Sequence, residues 1–246
     1  MIFSMNNILF IGGTHGDEPI GVQALTNLSS DRQDFDWIIG SPPALEAGTR
    51  EFEGNLNRSA PGNPKANNFA SRRAAEIIEK TQNYDYTIDI HGTAKNMGIF
   101  AIICNPKEEN FQLAAALDVD KIVYWPAFSP ELKGPLCEFF PCGLEIECGP
   151  KNDPATQVEL EKALNKLLDE QDKIKTNDWK RLLSKKKLFR IYDVLKKPIK
   201  NLEEFVETTV DGETFIPMFF QSDSYKKDSV TCYKAKLLSI DEIPNL

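Results

Sequence analysis

The chain reads as an α/β protein, a mostly parallel mixed sheet flanked by helices, followed by a small β-rich C-terminal lobe. Three observations predict this. Short continuous apolar runs such as Asn7–Ile11 and Tyr86–Ile90 end in glycine-containing motifs, as strands buried on both faces do. They alternate with stretches of helical period, the order of a largely parallel sheet. Beyond about Lys185 the helical period gives way to short β-like runs, which divides the chain into an α/β domain over 1–180 and a lobe over 181–246. With 246 residues, 41% of them hydrophobic, the chain can fill one large core.

The first strand, Asn7–Ile11, closes on Gly12-Gly13. Pro19 suits the first turn of a helix whose apolar face is Ile20, Val22, Leu25 and Leu28. Asp36–Gly40 is the second strand. Residues Ser41–Asn67, rich in Gly, Pro and Asn and without a steady period, read as a long functional loop. Asn68–Lys80 is the next helix, and Tyr86–Ile90 a strand that runs directly into His91. Gly98–Cys104 and Lys121–Tyr124 are strands on either side of a helix around Phe111–Leu117. After a proline-rich stretch, Leu144–Cys148 is a strand stopped by Gly149-Pro150. Asp153–Ile174 is a long helix, with Val158, Leu160, Leu164, Leu167 and Leu168 expected inward. The C-terminal lobe offers Leu188–Val194, Phe205–Thr209, Phe215–Phe220 and Tyr233–Ile240, with Asp211-Gly212 as a hairpin turn.

A net charge of −8 and a pI near 5.0 argue against a nucleic-acid surface, which needs a basic stripe. Five cysteines without C-x-x-C spacing indicate neither a disulfide framework nor a zinc finger. No apolar run has membrane-spanning length and no secretory leader is apparent, so a cytoplasmic location without membrane contact is expected. A homo-oligomer is compatible with these totals.

Only two histidines occur, His15 and His91, each in a compact motif just after a strand. Functional groups of open α/β sheets gather beyond the carboxyl ends of the strands. There His15-x-x-Glu18 and His91 supply two imidazoles and a carboxylate, a standard three-ligand set for one catalytic zinc that leaves the fourth position for water. Asp89 is placed to orient a ligand histidine or to meet solvent at the strand end. Glu145 and Glu147 share a strand face and stand about 6–7 Å apart. Glu147, nearer the carboxyl end, is the better placed base. Arg50, Asn57 and Arg58 on the long loop suit a substrate carboxylate or an oxyanion.

Gly12-Gly13-Thr14-His15-Gly16-Asp17-Glu18, Arg50 with Asn55-Leu56-Asn57-Arg58, Asp89-Ile90-His91-Gly92-Thr93 and Ile146-Glu147-Cys148-Gly149-Pro150 together resemble the aspartoacylase/succinylglutamate desuccinylase family. That family is related to the zinc carboxypeptidases. The resemblance covers residues 7 to about 150 and implies a zinc carboxypeptidase-like fold. It implies that His15, Glu18 and His91 bind zinc, that Glu147 is the general base and acid, and that Arg50 polarises the scissile carbonyl. Asn57 and Arg58 would grip a substrate carboxylate, and Tyr225 would reach over the site from the C-terminal lobe. The activity implied is hydrolysis of a small N-acyl amino acid. Aspartoacylases carry an arginine just before the glutamate-bearing strand, whereas Pro130–Gly143 holds only Lys133, which is no equivalent in a bidentate site. A metallocarboxypeptidase acting on short peptides and a non-catalytic small-molecule binding protein on the same fold are the alternatives.

Overall fold

The computed structural model describes residues 7–126, 135–175, 178–221 and 229–243. Lys133 and Tyr225 lie outside the described residues. Ten strands form one mixed sheet in the order β2-β1-β3-β6-β4-β5-β7-β10-β9-β8. They are β1 (Ile8–Gly12), β2 (Asp36–Ile39), β3 (Tyr86–Gly92), β4 (Gly98–Ile103), β5 (Lys121–Tyr124), β6 (Gly143–Gly149), β7 (Lys187–Leu195), β8 (Thr208–Val210), β9 (Glu213–Met218) and β10 (Cys232–Leu237). Pairing is parallel from β2 through β1 and β3 to β6 and again from β4 through β5 to β7. It is antiparallel where β4 meets β6 and throughout the C-terminal lobe. That lobe extends the sheet by hydrogen-bonding β7 to β5.

The central strands are apolar on both sides because both faces are covered. One face packs Ile8, Phe10, Ile88, Ile90 and Ile146 against α1 (Ile20–Asp31), α4 (Glu108–Ala116) and α5 (Pro154–Asp169). The other face packs Leu9 and Ile11 against α3 (Phe69–Thr81) and the 3₁₀ turns Leu56–Arg58 and Leu136–Phe139. Alternation along β3 and β6 therefore turns Asp89, His91, Glu145 and Glu147 toward the α3 face. The register sets Asp89 beside Glu145 and His91 beside Glu147.

Several local expectations change. The stretch read as one loop contains a helix, α2 (Pro42–Ala47), opened by proline and closed by Gly48 in the left-handed region at φ 61°. Val158 is 48% exposed, because α5 buries Leu160, Leu164, Leu167 and Leu168 one step round the helix. That helix ends at Asp169, ahead of a 3₁₀ turn at Gln171–Lys173, and a further short helix, α6 (Trp179–Leu183), follows. Phe205 sits outside the sheet at φ 62°, and the strand expected there begins at Thr208. Asp211 and Gly212, at φ 52° and 84°, make the expected tight turn between β8 and β9. Among the described residues no helix is long and apolar enough to cross a membrane.

Helix α2 matters because the His15–Glu18 loop packs directly on it. A Cβ on Gly16 would collide with the Ala44 carbonyl group. Gly16→Ala is expected to destabilise the fold by about 1–3 kcal/mol and to displace His15. Chemical denaturation of the purified variant checks this, and an unchanged midpoint would contradict the contact.

Candidate active site

The β1–α1 connection carries His15 and Glu18. Gly13 takes a positive φ of 68°, which turns the chain sharply away from β1. The Glu18 N–H then closes a turn on the His15 carbonyl at 3.2 Å. This folds both side chains inward over the end of β3, leaving His15 and Glu18 3% and 4% exposed and His91 2% exposed.

Three metal-ligating side chains converge there. His15 Nδ1 is 3.1 Å from Glu18 Oε1, His91 Nδ1 is 3.2 Å from Glu18 Oε2, and the two Nδ1 atoms are 3.3 Å apart. The opposite ring nitrogens are fixed from behind. His15 Nε2 lies 3.2 Å from Asn55 Oδ1, and His91 Nε2 lies 3.0 Å from Asp89 Oδ2. With the protons on Nε2 toward these acceptors, both Nδ1 lone pairs would be free for a cation held beside the shared carboxylate. Bonds of about 2.0–2.1 Å at tetrahedral angles would put ligand atoms about 3.3–3.4 Å apart. The donor set thus fits zinc in type and in spacing.

The surroundings hold this geometry. Thr14 Oγ1 donates to Asp89 Oδ1 at 2.7 Å, and the Gly92 N–H donates to Glu18 Oε2 at 3.0 Å. Arg50 Nη1 donates to Glu18 Oε1 at 2.6 Å. Asn57 is fully engaged inside the protein: its Oδ1 accepts from the Leu136 N–H at 2.8 Å, and its Nδ2 donates to Glu145 Oε1 at 2.9 Å. Arg58 Nη1 donates to the Asn57 carbonyl at 2.8 Å. Lys151 Nζ meets Asp17 Oδ2 at 2.7 Å, tying the His15–Glu18 loop to the segment after β6.

Charge follows from these contacts. Burial opposes ionisation of Glu18, but His15 and His91 outweigh it and hold the carboxyl well below its usual range. Burial also opposes a charge on His91, yet Asp89, Glu145 and Glu18 raise its pKa well above that of free imidazole. Glu147 is half-buried, and desolvation pushes its pKa up to about 8. His91 opposes that rise, Glu18 and Glu145 reinforce it, and Arg50 opposes it.

The structure therefore brings His15, Glu18, His91 and Arg50 into direct contact, with Glu147 next to His91 in the sheet. Asn57 and Arg58 sit alongside, Asn57 bound into the wall. Asn55 was part of the motif but had no role in the sequence reading. Its signal is its place two residues before Asn57, at the start of a 3₁₀ turn. Glu145 proves to be close to His91 as well, 3.5 Å from Nε2.

A mixed sheet bearing this donor set beyond the carboxyl ends of β1 and β3, with Glu147 on β6 beside it, defines the class: a zinc carboxypeptidase-like α/β fold. The chain belongs to the succinylglutamate desuccinylase/aspartoacylase family, whose catalytic-domain model matches residues 4–170. It is 30% identical over 191 residues to a probable aspartoacylase of Prochlorococcus marinus subsp. pastoris, a match covering 71% of this chain and 65% of the relative. A probable aspartoacylase of Prochlorococcus marinus strain MIT 9312 is 27% identical and covered to 92%, as is this chain. Murine aminoacylase 3 superposes with a TM-score of 0.74 at 18% identity, covering 97% of each chain. The succinylglutamate desuccinylase from Chromobacterium violaceum gives 0.70 at 18% identity, over 96% of this chain and 85% of that one. These two likenesses concern the fold.

Neighbouring carboxylates raise the His91 pKa and burial raises that of Glu147 to about 8, so without a cation both groups favour their protonated forms. A divalent cation repels both protons. Binding is therefore expected to release protons and to tighten as pH rises. Calorimetric zinc titrations in buffers of different ionisation enthalpy count them. Glu147→Gln should release fewer, and binding without proton release would contradict these charge states.

Proposed function

We propose that this protein is a zinc-dependent amidohydrolase that cleaves a small N-acyl amino acid to a carboxylate and an amine. Support comes above all from one observation: two buried imidazoles present their Nδ1 atoms to one carboxylate while Asn55 and Asp89 hold the opposite nitrogens. His15, Glu18 and His91 would hold a single zinc ion. When bound, the ion supplies Lewis acidity to the scissile carbonyl and lowers the pKa of water at the site.

The protein's own groups do the rest. Glu147 takes a proton from the attacking water and returns it to the leaving nitrogen, tasks suited to a carboxyl tuned toward neutral pH. Arg50, held at the rim by Glu18, offers its remaining N–H groups to the developing oxyanion. Arg58 is the candidate for the substrate carboxylate, with its guanidinium fixed on the Asn57 carbonyl. Asn57 acts by setting that position, because its amide is already bonded to Leu136 and Glu145. We assign Tyr225 to the substrate side on the family resemblance. A soluble, cytoplasmic setting fits the acidic composition.

Zinc-loaded protein assayed on N-acetyl, N-succinyl and N-formyl amino acids and on short peptides tests the substrate class. Turnover of acyl amino acids should exceed that of peptides, and the reverse order would favour a carboxypeptidase. Glu147→Gln is expected to lower kcat by roughly 10²–10⁴-fold with zinc retained. Unimpaired turnover in the zinc-replete variant would remove Glu147 from the mechanism.

A further inference from the structure

The described residues contain a second group of side chains that could hold a metal ion and that shares no residue with His15, Glu18 and His91. Cys104 just past β4, Cys137 in the turn Leu136–Phe139 and Glu145 on β6 each offer a ligand atom, and these atoms all lie within 4.8 Å of one another. Their convergence follows from the fold. The antiparallel register sets Ile102 opposite Glu145, and Cys104, two residues on, continues along the same sheet face. The turn is anchored by the Leu136 N–H on Asn57, which in turn holds Glu145. No disulfide joins the thiols. Cys137 is 1% exposed, whereas Cys104 is half-buried and offers the way in.

Two sulfurs and one carboxylate oxygen select by softness. Burial first, and then the neighbouring Cys104, Glu145 and Asp89, push the Cys137 thiol well above its usual range. Only a cation with a strong bond to sulfur displaces a proton held in that way, which disfavours hard oxygen-seeking ions such as magnesium or calcium. Zinc–sulfur bonds of about 2.3 Å at tetrahedral angles separate two sulfurs by about 3.8 Å, a larger soft cation separates them further, and ligand atoms within 4.8 Å of one another leave room for it.

We propose that Cys104, Cys137 and Glu145 form a second metal site, distinct from His15, Glu18 and His91, that takes a soft d¹⁰ cation of the cadmium type. The site borders the first one. Glu145 is the acceptor for Asn57 at 2.9 Å and stands 3.5 Å from His91 Nε2, so a cation there draws on a carboxylate that supports the first site's histidine. The inference does not depend on the hydrolase reading.

Full-length reduced protein, loaded beforehand with one equivalent of zinc, is titrated with Cd²⁺ alone while thiolate-to-cadmium charge transfer is followed in the ultraviolet. The His15–Glu18–His91 set has no sulfur and cannot produce this absorption. The expected result is a band that saturates at one further equivalent. Cys104→Ser and Cys137→Ser should each weaken binding by more than the roughly tenfold that loss of an outer partner costs. Cys232→Ser, in a separate cluster of the C-terminal lobe, should leave it unchanged. Should the buried Cys137 variant fail to fold, the half-buried Cys104 variant decides. Absence of the band, or a band that survives Cys104→Ser, overturns the proposal.

Discussion

Two imidazole nitrogens 3.3 Å apart, both buried and both facing one carboxylate, form the arrangement on which the rest of the site depends. Two lone pairs at that distance repel unless positive charge lies between them. A proton relieves one contact, whereas a divalent cation satisfies all three atoms at once. The neighbouring groups fix the far side of each ring so that the near side has no other use. Asn55 and Asp89 orient the rings, Thr14 orients Asp89, and the Gly92 N–H orients Glu18. Such outer partners typically change metal affinity 10–100-fold, so a cation held by His15, Glu18 and His91 would depend on this network as well.

The sheet supplies the precision. Parallel register places His91 beside Glu147 and Asp89 beside Glu145, giving one face of two adjacent strands four ionisable groups in fixed relation. Buried on their own, those charges would be costly. Most of the carboxylates there are matched: Asp89 by His91 and Thr14, Glu145 by Asn57, and the adjoining Glu18 by both histidines and Arg50. Glu147 is the group left with the least compensation, and its raised pKa is the electrostatic record of that.

Much of this was legible in the amino-acid sequence because buried strands are written as apolar runs and the site residues follow directly after them. That rule singled out His15, Glu18, His91 and Glu147, which the structure brings together. Helix α2 was hidden because six residues beginning Pro-Pro are too short to show a helical period, and its role is to support Gly16 from outside. Val158 was misplaced because one apolar residue more or less does not define a helix face. Asn57 reads as a ligand-binding amide by type, yet both ends of its amide are bonded inside the protein, a matter of tertiary contacts alone. Asn55 and the thiol pair were silent for the same reason: their partners lie far away in the chain.

X-ray absorption at the zinc edge, on protein carrying one equivalent of zinc, measures the central claim most directly. The account predicts a shell of nitrogen and oxygen only, with imidazole scattering from two histidines and bonds of about 2.0–2.1 Å, reduced to one imidazole in His91→Ala. Failure to retain stoichiometric zinc, or a first shell containing sulfur at about 2.3 Å, would contradict it.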